Sequence, residues 1–239
     1  MATTESVLKP DFTASKKHFI FTEEHDRLRE SIGAFVTKEL RPHADEWEEA
    51  KYFADWVFPR MGELGFLGLS YPEEYGGQGG DYYCNLVLAE EMVKAHCGGL
   101  AMGIAVHTDM ATPPVFLFGT EEQKQRYLVP AIKGEKVSCL GITEPDAGSD
   151  VAGIKTRAVR DTRSGTGGDE YVINGSKTFI TNGPRADFIV LVTKTDPKAR
   201  HDGMTLFVVD LRDEQGNHVP GFSISARLEK MGMHASDTG

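Results

Sequence analysis

The spacing of apolar residues changes near residue 135, and this change constrains the fold more than any other feature of the chain. Before it, apolar residues recur every three or four positions, as in Leu28, Ile32 and Phe35, which is the spacing of one buried helix face. After it, short β-branched and aromatic runs alternate with turn residues, which is typical of small antiparallel sheets. We therefore predict an α+β protein, with an N-terminal helical bundle at residues 1–135 and a small antiparallel β-barrel or sandwich at residues 136–239.

Capping residues predict where several helices begin and end. Thr22 stands before two glutamates, and the sequence T-E-E-Q at residues 120–123 has the pattern of a capping box, so both mark helix starts. Gly65 is predicted to end a helix that begins near residue 55. A helix over residues 82–95 is predicted to end near Gly98 and Gly99, because glycine is the usual residue after a helix.

The strands of the second half are predicted from its β-branched and aromatic runs. Asn174-Gly175 is typical of a two-residue hairpin turn between two of them, and residues 164–168 are predicted to form a flexible hairpin tip. The predicted strands cover residues 137–143, 156–160, 171–173, 178–180, 188–192 and 205–209.

Charge and composition exclude several classes of function. The 239 residues carry 36 acidic and 26 basic side chains, a formal net charge of −10, and no basic stripe that would indicate nucleic-acid binding. No run of eighteen apolar residues is present, so no membrane span is predicted. The three cysteines have no paired spacing, which favours a reducing compartment over a disulfide frame or a zinc site. Because the N-terminus has no apolar signal core, we expect a cytoplasmic protein.

Two other features favour structural roles. The glycine-rich stretch at residues 75–81 lacks the G-x-G-x-x-G order and follows no predicted strand, so a turn between helices is a better interpretation than a phosphate loop. His107 lies within an apolar helical stretch, where a hydrogen-bonded core histidine is expected and a metal ligand is not. No metal site is predicted, and the motifs of zinc proteases, serine hydrolases and P-loop enzymes are missing.

The octapeptide T-E-P-D-A-G-S-D at residues 143–150, here named the 143–150 turn, is the first candidate for ligand binding. Pro145 stiffens the backbone, while Ala147 and Gly148 leave it accessible to a ligand. Hydroxyl groups and backbone N–H donors in such a turn suit an anion such as pyrophosphate. The alternative is a simple connecting turn whose aspartates bond to their own backbone, and the octapeptide alone does not decide between the two.

The second candidate is S-K-T-F-I-T-N-G at residues 176–183, here named the 176–183 segment. Phe179 and Thr181 are two residues apart, so on a strand they point to the same face. An aromatic ring beside a hydroxyl could pack against a flat heteroaromatic group and hydrogen-bond to it. The alternative is a strand that enters a hairpin, and the segment taken alone favours that interpretation.

Taken together, the two segments resemble the acyl-CoA dehydrogenase family. T-E-P-D-A-G-S-D-V-A-G-I-K-T at 143–156, followed by Y-V-I-N-G-S-K-T-F-I-T-N-G at 171–183, is highly specific as a pair. Weaker similarities lie at 71–80, 119–130 and 228–238, so the resemblance covers nearly all of the chain after about residue 20. Two departures are Asp146, where many members have glycine, and Phe179, where many have tryptophan.

The resemblance implies an FAD-binding enzyme that oxidises acyl-CoA thioesters to trans-2-enoyl-CoA in fatty-acid or branched-chain breakdown. It implies an electron-transfer flavoprotein as electron acceptor, and a homo-oligomer, a dimer or tetramer. Ser149 is also expected to reach the acyl-CoA, Phe179 to pack beside the isoalloxazine ring, and Thr181 to hydrogen-bond near its N5 atom. The residues expected to contact FAD are Leu140, Ile142, Thr143, Gly148, Ser149, Phe179 and Thr181.

In the family a second helical domain follows the β-domain and supplies the catalytic glutamate. We do not expect the sequence up to Gly239 to supply that domain, so no catalytic base is assigned, and Glu144 does not correspond to it. The leading hypothesis is that the sequence is the N-terminal part of a longer enzyme and is inactive alone. The alternatives are a naturally short, non-catalytic module that binds FAD or acyl-CoA, and an oxidase or monooxygenase of the same fold. Similarity to long-chain members favours medium to long straight-chain substrates.

Overall fold

The computed structural model describes residues 18–161 and 170–239. Its first half is helical, and π-helical turns join some of the helices into longer runs. One such turn, Val36–Leu40, extends α1, a second, Val106–Ala111, joins α5 to α6, and a third, Lys124–Leu128, joins α7 to α8. The α-helices are α1 Glu23–Phe35, α2 Ala44–Ala50, α3 Val57–Glu63, α4 Tyr82–Met92, α5 Gly98–Ala105, α6 Thr112–Phe118, α7 Glu121–Gln123 and α8 Val129–Ile132.

Three predicted helix boundaries are confirmed. Helix α1 begins directly after Thr22, whose backbone N–H donates to Nδ1 of His25 at 3.0 Å. Helix α7 begins with the predicted capping box: Gln123 accepts from the Thr120 N–H at 2.9 Å, and Thr120 Oγ1 accepts from the Gln123 N–H at 3.3 Å. Gly65 follows α3 with a φ of 76°, the left-handed conformation that glycine favours.

The predicted helix over residues 82–95 is confirmed, because α4 and the 3-10 turn after it cover these residues. The stop assigned to Gly98 and Gly99 is wrong, because these glycines begin the next helix. Helix α4 ends at Met92, a 3-10 turn follows, and His96 adopts a φ of 58° before Gly98 starts α5. The reason for a glycine at 99 is packing: a Cβ there would lie 2.3 Å from the backbone nitrogen of Ser236. The glycine therefore lets the last residues of the chain lie against α5.

The second half is a five-stranded sheet, so the order of helices followed by strands is confirmed. The sheet is mixed, however, and the prediction of a wholly antiparallel arrangement is wrong. Strand β4 pairs in parallel with β1 and, through Arg157 and Lys194, with β2, while the β2–β3 and β4–β5 pairs are antiparallel. The strands are β1 Ser138–Gly141, β2 Arg157–Arg160, β3 Tyr171–Asn174, β4 Phe188–Lys194 and β5 Met204–Asp210.

The predicted hairpin at Asn174-Gly175 is also wrong. Strand β3 pairs with β2, and no strand forms over residues 178–180. Gly175 instead allows a close approach of the chain, since a Cβ on it would lie 2.3 Å from Oγ1 of Thr156. Contacts with distant segments therefore override the local turn preference. The predicted hairpin tip at 164–168 lies outside the described residues.

His107 connects the two halves and is the hydrogen-bonded core histidine that the sequence predicts. Its Nε2 lies 3.0 Å from the carbonyl oxygen of Ala131, and its Nδ1 accepts from the Ser138 N–H at 3.1 Å. Burial lowers the pKa of His107 to about 4, so the ring is neutral at neutral pH.

The large apolar side chains of the helical half form one core around Phe53, Phe58 and Leu100. A second cluster joins Tyr127 and Leu128 to Phe188 of β4, so it packs helices against the sheet. The three cysteines are free and buried. Within residues 18–161 and 170–239, no helix combines the length and apolar character needed to cross a membrane.

Candidate functional site

The 143–150 turn is a tight turn closed by two backbone hydrogen bonds. The Glu144 N–H donates to Ala147 O at 2.9 Å, and the Ala147 N–H donates to Glu144 O at 3.1 Å. Pro145 and Asp146 occupy the tip and are exposed. This closure fixes the direction in which the following residues leave the turn.

Those following residues present unpaired backbone donors. Gly148, Ser149 and Asp150 are exposed, and their backbone N–H groups have no hydrogen-bond acceptor in the described part of the chain. A Cβ added at Gly148 would meet no atom within 4 Å, so the space in front of this backbone is open. Successive free N–H groups in a turn form a binding site for an anion without the need for positive side chains.

Glu144 holds the base of the turn from inside the protein. Its carboxylate accepts from the Lys155 N–H at 2.5 Å, the Thr156 N–H at 3.0 Å and Nζ of Lys177 at 2.8 Å. Burial acts to raise the pKa of Glu144, but the hydrogen bonds from Lys177, Thr156 and Lys155 outweigh it and lower that pKa to about 2. A carboxylate so acidic and so fully engaged is unsuited to accept a proton from a substrate.

Lys177 brings the two predicted segments together. Its side chain is 8% exposed and donates to the carbonyl oxygen of Ile142 at 2.8 Å as well as to Glu144. The next residue, Thr178, donates its N–H to Thr143 O at 2.9 Å. The sequence reasoning did not single out Lys177, because a lone lysine beside a polar turn resembles a solvated surface residue.

The structure corrects the placement of Phe179. Its φ is 60°, so the backbone is left-handed and Phe179 and Thr181 do not share one face of a strand. This conformation costs about 1–2 kcal/mol for a residue with a side chain, and the Phe179 side chain is nevertheless 68% exposed. An exposed aromatic residue held in a strained conformation indicates a functional position.

Thr181 is held by the last residues of the chain. It forms an isolated antiparallel bridge with Thr238, and Ile180 exchanges two backbone hydrogen bonds with Gly239. Nε of Arg185 bonds to the buried carboxylate of Asp237 at 2.9 Å and fixes the same segment. Thr181 is partly buried.

The remaining predicted contacts lie on β1 and just after it. Leu140 is partly buried against the cluster of Tyr127 and Phe188, and Ile142 packs against the cluster that contains Ala147. The seven predicted residues therefore lie on segments that are adjacent in the fold. A cavity of about 480 Å³ on one face of the sheet is lined by Lys177 and Ile180 but by none of the seven.

A separate group of polar residues joins the starts of α1 and α4. His25, Asp81 and Cys84 have potential metal-ligand atoms within 4.8 Å of one another. Nε2 of His25 lies 2.9 Å from Asp81, and Nδ1 accepts from the Thr22 N–H. Both ring nitrogens are thus engaged within the protein, and the group connects two helix starts.

The comparisons with known proteins agree with this architecture. The profile of the acyl-CoA dehydrogenase N-terminal domain matches residues 22–135, and that of the acyl-CoA dehydrogenase middle domain matches residues 139–239. The chain belongs to the acyl-CoA dehydrogenase family. The resemblance inferred from the two segments is confirmed.

Relatives within the acyl-CoA dehydrogenase family differ in substrate. The chain is 37% identical over 221 residues to the mitochondrial long-chain specific acyl-CoA dehydrogenase of Mus musculus, with 92% of this chain and 48% of that protein covered. It is 39% identical over 220 residues to the short-chain specific enzyme of Clostridium acetobutylicum, with 92% and 55% covered. The chain therefore spans about half the length of the curated relatives it matches.

Solved structures of the family have the same fold. An acyl-CoA dehydrogenase from Geobacillus kaustophilus matches with a TM-score of 0.82 and 43% identity, over 91% of this chain and 54% of that one. An acyl-CoA dehydrogenase from Bacillus anthracis, complexed with FAD, matches with a TM-score of 0.79 and 33% identity, over 91% of this chain and 35% of that one. Structural relatives of the chain thus bind FAD.

Proposed function

We propose that the chain binds FAD between the 143–150 turn and the 176–183 segment. The observation that carries this proposal is the junction made by Lys177. It joins the turn that carries three unpaired backbone N–H groups, among the described residues, to the segment that carries a strained, exposed phenylalanine. The donor groups suit a pyrophosphate, and the ring of Phe179 suits the face of a flat heteroaromatic group. The open space at Gly148 is consistent with close approach of a ligand to the backbone.

In this proposal each residue has a defined task. The N–H groups of Gly148 and Ser149 hold the pyrophosphate, Phe179 packs on the isoalloxazine, and the Thr181 hydroxyl donates a hydrogen bond to it. Leu140, Ile142 and Thr143 line the cofactor, and Ser149 also contacts the thioester ligand. FAD, when bound, supplies the two-electron oxidation chemistry, and the protein orients it and excludes water.

We further propose that the protein acts in the α,β-dehydrogenation of acyl-CoA thioesters, with an electron-transfer flavoprotein as acceptor and a homo-oligomeric assembly. Support comes from the two family domains and from substrates named for relatives. Glu144 is not the proton acceptor, because its carboxylate is already ionised and saturated with hydrogen bonds. The long-chain resemblance favours medium to long straight acyl chains.

Reconstitution with FAD tests the binding proposal. The purified chain is incubated with FAD, freed of excess cofactor by gel filtration, and titrated by flavin fluorescence. Phe179→Ala should weaken FAD binding roughly tenfold, as expected for the loss of a stacking ring, while Phe19→Ala, at a 90% exposed position in another part of the chain, should not. Failure of the folded chain to retain any FAD would contradict the proposal.

Activity is tested with the FAD-loaded product of the whole gene, because no catalytic base is assigned within these 239 residues. Under anaerobic conditions, acyl-CoAs of increasing chain length are added and the visible flavin band is followed. Bleaching by a subset of chain lengths supports dehydrogenation and identifies the preferred substrate. Retention of FAD without bleaching by any acyl-CoA would favour the alternative of a binding module for this chain.

A further inference from the structure

Thr181 lies between two backbone positions that residues 237–239 hold in place. On one side, Ile180 exchanges backbone hydrogen bonds with Gly239 at 2.8 and 3.1 Å. On the other side, the Asn182 N–H donates to Asp237 O at 2.9 Å. The Thr181 hydroxyl has no hydrogen-bond partner in the part of the chain that the structure describes. The backbone of Thr181 is therefore held, while its hydroxyl is available to a ligand.

A closed ring of hydrogen bonds surrounds Asn182, the residue after Thr181. The Asn182 N–H donates to Asp237 O, and Nε of Arg185 donates to Oδ1 of Asp237 at 2.9 Å. The Arg185 N–H donates to Asn182 O at 3.0 Å and closes the ring. Asn182 is fully buried and has a φ of 63°, in the left-handed region that few residues other than glycine adopt. The ring therefore fixes the direction in which the chain leaves Thr181.

The helical half holds this ring through Arg185. The guanidinium carbon of Arg185 lies 3.8 Å from the centre of the Tyr52 ring and 4.0 Å from that of the Phe53 ring. Both aromatic residues belong to the connection between α2 and α3. A planar guanidinium stacks favourably on aromatic faces, so these two rings determine where the Arg185 side chain lies.

The ion pair between Arg185 and Asp237 is almost fully buried, with side-chain exposures of 4% and 0%. The cost of removing two charges from water offsets most of their attraction, so a buried pair adds little net stability. Its hydrogen bond is nevertheless short and directional, which restricts the geometry of both side chains. The pair therefore acts on the position of residue 237, and through the ring on residues 181 and 182.

We infer that Arg185 and Asp237 are positioning residues that direct the Thr181 hydroxyl towards the flavin. The inference rests on the proposed function, which names the isoalloxazine as the group that this hydroxyl contacts. Without the ion pair, Asn182 is free to leave its left-handed conformation, and the Thr181 hydroxyl then moves away from the flavin. The sequence did not indicate this role, because Tyr52, Arg185 and Asp237 are far apart in the chain.

FAD titration of the full chain tests the inference with a double-variant cycle. Thr181→Val removes the hydroxyl and should weaken FAD binding about three- to tenfold, the effect of one hydrogen bond. Asp237→Ala should weaken it by the same factor and shift the visible flavin band in the same direction. The combined variant should bind no more weakly than either single variant, because both changes remove the same hydrogen bond. Losses that multiply in the combined variant would overturn the inference.

Asp55→Ala is the matched control. It removes a carboxylate that lies 3.4 Å from the same guanidinium, but on a side chain that is 72% exposed. FAD affinity and the flavin band should stay unchanged in this variant. An effect equal to that of Asp237→Ala would show that the ring around Asn182 is not what positions Thr181.

Amide hydrogen exchange without FAD separates this inference from the proposed function. In Asp237→Ala the N–H groups of Ile180 and Asn182 should exchange at least about tenfold faster, because their acceptors are no longer held. The Thr178 N–H, which donates to Thr143 O, should keep its rate and so reports any general loss of stability.

The outcomes of the exchange experiment are distinct. If the chain binds no FAD but the two amides lose protection, the proposed function fails and the positioning of the segment by Asp237 stands. If both amides keep their protection in folded Asp237→Ala, the inference is wrong. Should Asp237→Ala not fold, Arg185→Leu combined with Asp237→Leu leaves no unpaired charge buried, and the same exchange rates are expected of it.

Discussion

Two glycine-containing turns of this protein look similar in sequence and differ in how they use their backbone. In the loop at residues 75–81, the N–H groups of Gly77, Gly79 and Gly80 donate to carbonyl oxygens of residues 72, 71 and 69 at 2.8–3.1 Å. In the 143–150 turn, three consecutive N–H groups have no such acceptor among the described residues. Glycine serves close packing of the chain on itself in the first turn, and in the second it leaves an open backbone where we propose that FAD binds. The sequence interpretation of the first as a turn between helices is confirmed.

The largest effect on stability is expected at Lys177, which anchors the 143–150 turn. Lys177→Met leaves the buried Glu144 carboxylate without its partner, which should lower the free energy of unfolding by about 3 to 5 kcal/mol. Urea denaturation measures this loss of unfolding free energy. Lys155→Met is the matched control, because the pair between Lys155 and Asp146 is exposed and should contribute less than about 1 kcal/mol. Equal losses in the two variants would show that the buried pair of Lys177 and Glu144 stabilises the fold no more than the exposed pair of Lys155 and Asp146 does.

A double variant sharpens this first test. Glu144→Gln combined with Lys177→Met removes both charges, so no uncompensated charge stays buried. The double variant should therefore be more stable than Lys177→Met alone. If the double variant lost more unfolding free energy than the two single variants lost together, the proposed coupling between Glu144 and Lys177 would be contradicted.

The comparison between the turns predicts a large steric effect at Gly77. A Cβ there would lie 2.0 Å from the carbonyl oxygen of Tyr71, a backbone atom that cannot move aside. Gly77→Ala should therefore lower the free energy of unfolding by about 3 kcal/mol. Thermal and urea unfolding measure the loss, and FAD affinity per folded molecule should stay unchanged.

Acid should weaken the anchor of the 143–150 turn. The pKa of Glu144 is lowered from 4.5 to about 2 in the folded protein, so its stabilising contribution is complete above pH 4.5 and is lost as the pH falls through about 2. The difference in unfolding free energy between the unmodified chain and Glu144→Gln should shrink on going from about pH 5 to about pH 3. A difference that does not change with pH would show that Glu144 has an ordinary pKa.

The smallest effect on stability is expected at Gly148. Gly148→Ala adds a Cβ into open space at a position without a left-handed φ, so the free energy of unfolding should change by less than about 0.5 kcal/mol. FAD affinity should nevertheless fall roughly tenfold, because the methyl group keeps the ligand away from the backbone donors. Gly77→Ala should thus lower stability without changing FAD affinity, and Gly148→Ala should lower FAD affinity without changing stability. If both variants lost the same property, the two turns would not differ in how they use their backbone.

Local patterns in the sequence determined the helical half, its capping box and the two segments of the candidate site. These features depend on residues that are close together in the sequence, so a short stretch of sequence is enough to predict them. The strand predictions over 188–192 and 205–209 agree with β4 and β5 for the same reason. Glycines were interpreted less well, since Gly99 and Gly175 are needed for contacts with distant segments.

Only the tertiary structure decided how these pieces meet. The parallel pairing of β1 with β4, the junction of Lys177 with Glu144, the left-handed backbone of Phe179 and the clustering of Arg157 with Lys194 all join residues far apart in the chain or depend on such contacts. Their energies come from packing and electrostatics across long sequence separations, which no local pattern records. The sequence alone therefore determined which two segments are candidates for ligand binding, and the fold decided that they lie side by side.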